Sequence, residues 1–202
     1  MSPFTTKLIE FLMQEWNFFG NPEIRLNGTV KDGIKEYQDG AWQRVADYWE
    51  FIGGPYKNLT GKDRGTPWSA AFISFAFNQA GAGNLFPYSA GHATYINQAI
   101  RNFDNNQLNA PIVGRKLKDY PLKPGDLIGY WRGERKITVE NARRIGWYQS
   151  HTDIVVEVGR NHAYVIGGNV MHSVTRRQVR LNNNGELTDR RKNWFVAIQN
   201  NI

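Results

Sequence analysis

The stretch TPWSAAFISFAF, Thr66 to Phe77, decides how the rest of the chain is read. Thr66 is placed to cap a helix with Pro67 at its first position, which puts Trp68 and Ser69 in the first turn. Ser69, Phe72, Ile73, Ala76 and Phe77 then share one face, and Gly81-Ala82-Gly83-Asn84 stops the helix. The expectation is a buried helix whose front end stays open and carries a hydroxyl.

Upstream, Leu8, Phe11, Leu12 and Trp16 recur at helical spacing and predict a helix over Pro3 to Asn17, ended near Gly20-Asn21-Pro22. Trp42, Val45, Ala46, Trp49 and Ile52 predict a second from Ala41 to Ile52, stopped by Gly53-Gly54-Pro55. Turns fall at Asn27-Gly28 and Lys31-Asp32-Gly33. Downstream, a short helix is expected from Ala93 to Phe103.

After Pro124-Gly125 the pattern changes to period-two and continuous apolar runs rich in β-branched residues. DLIGYW (126–131), DIVVEV (153–158), AYVIGG (163–168), SVTRRQVRL (173–181) and WFVAIQ (194–199) read as strands. Gly159-Arg160-Asn161 and the Asn182 to Gly185 run look like hairpin connections. Helices first and strands afterwards predict an α+β domain, with N-terminal helices packed on an antiparallel sheet of about five strands. One domain over 1–202 is expected: a helical part (1–60), the Ser69 helix and its successor (61–105), and the sheet (120–202).

Composition bounds the function. The 202 residues are 41% hydrophobic and 13% aromatic with seven tryptophans, which places the chain among ordinary globular proteins. No run approaches a membrane span, and the opening MSPFTTKLIEFLMQEW carries Lys7, Glu10 and Glu15 through its apolar stretch, unlike a secretory signal. Cysteine is absent, so disulfides, a thiol nucleophile and a Cys-ligated metal are excluded. Four scattered histidines lack the spacing of a zinc motif, and no cofactor is implied. The net charge of +7 favours polyanions in general. The clusters Arg143-Arg144, Arg176-Arg177 and Arg190-Arg191-Lys192 read as solvated basic surface, not as a nucleic-acid motif.

Nucleophilic catalysis needs a nucleophile, a base within hydrogen-bond reach and a group that orients the base. Ser69 faces whatever packs on the front of its helix. His151 opens a strand, Asp153 follows on the same face, and Asn169 ends the next strand, so the four are expected to converge. Each has an ordinary structural use as well: a cap, a strand-end hydrogen bond, a turn. His92 is a lesser candidate, as cleft lining or as the base itself. Trp68 and Tyr95 are candidate substrate walls, although packing explains both. His162 and His172 read as surface residues.

PWSAAFISF, Gly91-His92 with Tyr95-Ile96, KPGDLIGYW, HTDIVVEV and YVIGGNV together resemble a domain-of-unknown-function family related to the CHAP and NlpC-type hydrolases. The resemblance runs from about Glu15 to the C-terminus. It implies a circularly rearranged papain-like fold and cleavage of amide bonds in bacterial peptidoglycan. In the better-known relatives a cysteine attacks, a histidine on the first hairpin strand is the base, and a polar residue on the next strand orients it. By position these fall on Ser69, His151 and Asn169, with Asp153 as the alternative orienting group. Gly167 stands where some CHAP relatives carry an acidic residue. The resemblance also implies that serine in W-S-A-A-F is a family trait. A hydroxyl does not ionise beforehand as a thiol does, so such an enzyme needs a well-aligned base.

The expected function is therefore a wall amidase or endopeptidase acting by acyl transfer to Ser69, with peptidoglycan or another wall polymer as partner. It would reach the wall by a route other than a signal sequence, as a phage lysis protein or a delivered toxin with its own immunity or inhibitor protein. Two alternatives stand beside it: a non-catalytic wall- or partner-binding module, and a hydrolase or acyltransferase acting on another amide or ester.

Overall fold

In the computed structural model, which describes residues 1–202, Ser2 caps α1 (Pro3–Phe18) by accepting from the Thr5 amide at 3.0 Å. The hairpin β1 (Glu23–Ile24) and β2 (Val30–Lys31) follows, then α2 (Ala41–Ile52), α3 (Ser69–Gln79) and α4 (His92–Asp104). The remainder is β3 (Ile112–Arg115), β4 (Leu127–Trp131), α5 (Val139–Ile145), β5 (Ser150–Val158), β6 (His162–Val170), β7 (Ser173–Arg180) and β8 (Trp194–Asn200). No helix is long and apolar enough to cross a membrane.

The α+β expectation holds, and all five predicted strands form as β4 to β8. The sheet, however, has eight strands in the order β2-β1-β7-β6-β5-β4-β8-β3, and β1 runs parallel to β7, so it is mixed and not purely antiparallel. β1, β2 and β3 span two to four residues, too short to display a period. They form because β7 and β8 offer free edges, and a two-residue strand blunts such an edge. Helix α5, seven residues long, was equally illegible. It is held by reciprocal capping between Thr138 and Asn141.

Helices α1 and α2 are joined by charge as well as by packing. Buried Glu15 accepts from Arg44 Nε through both oxygens at 3.0 Å and from the Tyr48 hydroxyl. Helix α3 lies beneath them, with Ala71, Phe72, Ile73, Ala76 and Phe77 all fully buried.

Two cores sandwich the sheet, and their division fixes the site. Leu127, Ile154, Ile166, Val196 and Ile198 pack toward the helices. Ile128, Val155, Val165 and Ala197 pack on the other face with Tyr120, Leu122 and Leu187. Side chains alternate along a strand, so Thr152 joins Ile154 on the helix side. His151 and Asp153 join Val155 on the far side.

Glycines let these layers approach. A Cβ at Gly168 would sit 2.7 Å from Phe72 and Trp68, and one at Gly167 would sit 1.9 Å from Asp153 Oδ1 and 3.0 Å from His151 Nε2. Gly167→Ala is therefore expected to destabilise the protein by about 1–3 kcal/mol through overpacking. Urea denaturation checks this, and an unchanged midpoint would mean the two strands are not packed this closely.

Candidate functional site

Helix α3 begins at Ser69 itself. Trp68 is its N-cap, with φ −90° and ψ 5°, and no side chain caps it. The Thr66 cap expected from the sequence does not form, because the helix starts further on and Thr66 belongs to the preceding turn, its amide donating to the Asp63 carbonyl at 3.1 Å. The first amides of α3, like those of every helix, have no intrahelical acceptor, and here no side chain caps them.

Ser69 is 4% exposed, and its Oγ lies 2.7 Å from Nε2 of His92, the first residue of α4. The Nδ1 of that ring meets the Tyr95 hydroxyl and lies 3.0 Å from Thr152 Oγ1. Tyr95 and Thr152 are themselves 3.0 Å apart. Every partner in this network is a hydroxyl, able to donate or to accept, so the roles follow the tautomer. If the serine donates to Nε2, the proton sits on Nδ1 and is given to Tyr95 or Thr152. Burial pushes the His92 imidazole well below its ordinary value, reinforced by His151 and Arg132 nearby. The ring is thus held neutral, as a general base must be. Burial also pushes the Tyr95 phenol up, so it stays a neutral hydrogen-bonding group.

The structure brings Ser69 to His92 and not to His151. His151 is fully buried, and its Nε2 lies 2.9 Å from Asp153 Oδ1. Asp153 in turn accepts from Arg177 of β7. Burial alone would raise the Asp153 carboxyl, but Arg177 and then His151 hold it down to about 2. His151 is pushed low by burial despite Asp153, and its Nδ1 is without a partner. The two imidazoles stand 5.1 Å apart between ring centres, His92 on the helix side and His151 toward the far side. The expected pairing of His151 with Asp153 is present, but it forms a layer behind His92.

Asn169 does not join them. With its amide oriented to satisfy both contacts, it donates to Glu36 Oε2 at 3.1 Å and accepts from the Trp68 amide at 3.3 Å. Its φ of 55° breaks the extended run of β6 at this residue. Glu36, buried on the segment before α2, also accepts from Trp68 Nε1 at 2.5 Å and from His172 Nδ1 at 2.9 Å. Asn169 and Glu36 therefore fix the residue that precedes Ser69. Trp68 and Tyr95 are buried at 2% and 0%, so neither is the substrate wall the sequence suggested.

The cleft in front of Ser69 has a volume of about 610 Å³ and is lined by His92, Thr66, Arg132, Tyr56, Trp147 and Gln149, among others. Trp147, 73% exposed, is the one exposed tryptophan of the seven and stands at this rim. Its neighbour Gly146 has φ 77°, which places the turn that presents it. Sequence reasoning missed Thr152, Arg177, Glu36 and Trp147. Arg177, read from the sequence as part of a solvated basic surface, is instead buried against Asp153; its place inside a predicted strand was the one available signal.

Residues 36–199 match the family described as an uncharacterized protein conserved in bacteria (DUF2272). No curated protein and no solved structure matches the chain. The matched span runs from Glu36 through Ser69, His92, His151 and Arg177 to the end of the sheet, and the chain belongs to the DUF2272 family.

Proposed function

We propose that this protein is a serine-dependent acyl hydrolase in which Ser69 is the nucleophile and His92 the base. The observation that carries the reading is the 2.7 Å contact between an uncapped helix-front hydroxyl and a buried, neutral imidazole, open to a substrate-sized cleft. Ser69 Oγ attacks the carbonyl carbon while its proton passes to His92 Nε2. Free amides at the front of α3 are the natural donors to the oxyanion. His92 returns that proton to the departing amine, leaving an acyl-serine. Water then gives a proton to His92 as it attacks, and the carboxylic acid leaves as Ser69 recovers its hydrogen.

Tyr95 and Thr152 orient the ring but stabilise an imidazolium less than a carboxylate would. Turnover is accordingly expected to be slower than that of a Ser-His-Asp enzyme. Asp153 lies one layer back, where its charge favours a protonated His92 without touching it.

The wall amide remains the proposed substrate class. Its support is the resemblance to CHAP and NlpC-type hydrolases, whose papain-like arrangement of a nucleophile helix against a sheet suits the α3 and β5–β6 pair here. The exposed Trp147 at the rim offers an aromatic face to a sugar or peptide. The near-burial of Ser69 also favours one second reading, a binding module whose cleft holds wall polymer without cutting it.

Digestion of purified sacculi by wild type and by Ser69→Ala, with released fragments read by mass spectrometry, decides between them. Fragments that vanish with alanine are the expected result, and their masses name the bond. Cosedimentation without fragments supports the binding module. If a fluorophosphonate probe labels Ser69 while sacculi are neither cut nor bound, the acyl chemistry belongs to another amide or ester.

A further inference from the structure

A second cavity, of about 310 Å³, opens on the far face of the sheet; its lining includes Tyr130, Arg132, Arg177, Lys192 and Trp194 together with the Asp189–Arg191 pair. Arg132 also lines the Ser69 cleft, so the two spaces meet at this side chain just beyond the end of β4. Arg177 is matched by Asp153 and Arg191 by Asp189 at 2.6 Å. Arg132 and Lys192 have no carboxylate partner. Arg190 adds another unmatched cation beside them in the adjoining groove.

Donors predominate among the polar groups of this cavity, and its one carboxylate, Asp189, is already engaged by Arg191 and the Arg180 amide. Arg177 is only 6% exposed, and its Nε is buried without a partner; Trp194 Nε1 is likewise buried and unpartnered. Arg132 Nη2 already donates to the Tyr130 hydroxyl at 3.1 Å. Tyr130 and Trp194 pack edge to face at 4.9 Å and form an aromatic floor, with Arg177 and Lys192 over the Tyr130 ring at 5.5 and 5.8 Å. Orphan donors and surplus positive charge call for an occupant that brings only acceptors and negative charge. The volume admits a single anionic group with a short arm, not a polymer.

The geometry points to an anion-binding subsite formed by Arg132, Lys192, Arg177 and Trp194, which takes a carboxylate or phosphate on the molecule whose acyl bond lies at Ser69. This deepens the proposed function and rests on it for the source of the anion, though not for the existence of the site. The continuity through Arg132 supplies the link between the two spaces. An anion here also sits over the Arg177–Asp153–His151 chain that backs His92.

Two arms test it. In the first, Ser69→Ala protein, which needs no catalysis, is titrated calorimetrically with inorganic phosphate and with succinate at low ionic strength. Binding that weakens as NaCl rises is expected, with at least tenfold loss in Lys192→Ala and in Arg132→Ala. Trp194→Phe, which keeps an aromatic ring but removes the donor, should also bind more weakly. In the second, the wild-type enzyme is assayed on p-nitrophenyl benzoate and its para-carboxylate analogue, each rate divided by alkaline hydrolysis. The carboxylate ester should be favoured about tenfold in kcat/KM, and Lys192→Ala should remove that preference.

Anion binding together with ester preference supports the subsite as stated. Anion binding with both esters cut equally supports the site and assigns it a free anion as occupant. Anion binding with no ester cleaved supports the site while overturning the Ser69 reading. Ester cleavage without anion binding or preference overturns the subsite and leaves Ser69 standing. A single-stranded oligonucleotide that displaces phosphate at lower concentration than succinate does would overturn it too, giving this face to nucleic acid.

Discussion

Replacing His92 with alanine is expected to lower kcat/KM by about 10² to 10⁴-fold, the contribution of a positioned general base, whereas His151→Ala should cost no more than about tenfold. The reason is geometric. His92 alone meets Ser69 Oγ, at 2.7 Å, while His151 spends Nε2 on Asp153 and lies one ring further back. Hydrolysis of p-nitrophenyl benzoate and the rate of fluorophosphonate labelling measure both variants, each assayed well below its own melting temperature. If His151→Ala loses as much as His92→Ala, the base is His151 and the 2.7 Å contact is a resting hydrogen bond.

The pH profile adds an independent readout. Because burial lowers the His92 pKa, the base stays unprotonated into mild acid, and kcat/KM should hold through pH 6.5 and fall only below it. Tyr95→Phe removes a hydroxyl partner of Nδ1 and should reduce kcat more than KM, since it loosens the ring without touching the cleft.

The largest stability effect is expected at Asp153. Removing it leaves Arg177 buried without its counter-ion, a change that costs about 3–5 kcal/mol in comparable pairs. At this chain length that is a fall in Tm on the order of 10 °C. Asp153→Leu combined with Arg177→Met should recover much of the loss, because the double replacement removes both charges from the interior. Equal melting temperatures for wild type and Asp153→Ala would show that the pair is not buried as described.

The pH dependence follows from the direction of each shift. Asp153 is held down to about 2 in the fold, so its contribution is present above the ordinary carboxylate range near 3.8 and is lost as pH falls through about 2. His92 and His151 are also lowered, so the unfolded chain binds protons first once pH drops below about 6.5. Stability should therefore fall in two stages on acidification. Asp153→Ala should shrink the lower one, leaving the part due to Glu23 and Asp189, which are also held down, as read by urea midpoints at pH 7, 5 and 3.

The elements with a repeating pattern were legible. The α2 stripe of Trp42, Val45, Trp49 and Ile52 gave its bounds directly, and the strands of β4 to β8 announced themselves by alternation. What lacked a period was not: β1 and β3 are shaped by strands distant in the chain, and α5 is one short capped stretch of seven residues with no repeating stripe. The start of α3 was misread because Thr66 and Pro67 supply a good capping pattern, yet the loop from Thr60 to Thr66 closes on itself through Asp63.

The site divides along the same line. Sequence alone determined that a hydroxyl, not a thiol, sits at the front of a buried helix, and that His151 and Asp153 share one side of a strand. Spacing of two guarantees a common face but does not say which face. Only the register of β5 between β4 and β6, with Ile154 turned to the helices, sent Thr152 toward His92 and turned His151 to Asp153 and Arg177 behind it. That choice belongs to the packing of the two cores, which is a property of the whole sheet, so the partner of Ser69 was settled by tertiary structure and not by any motif.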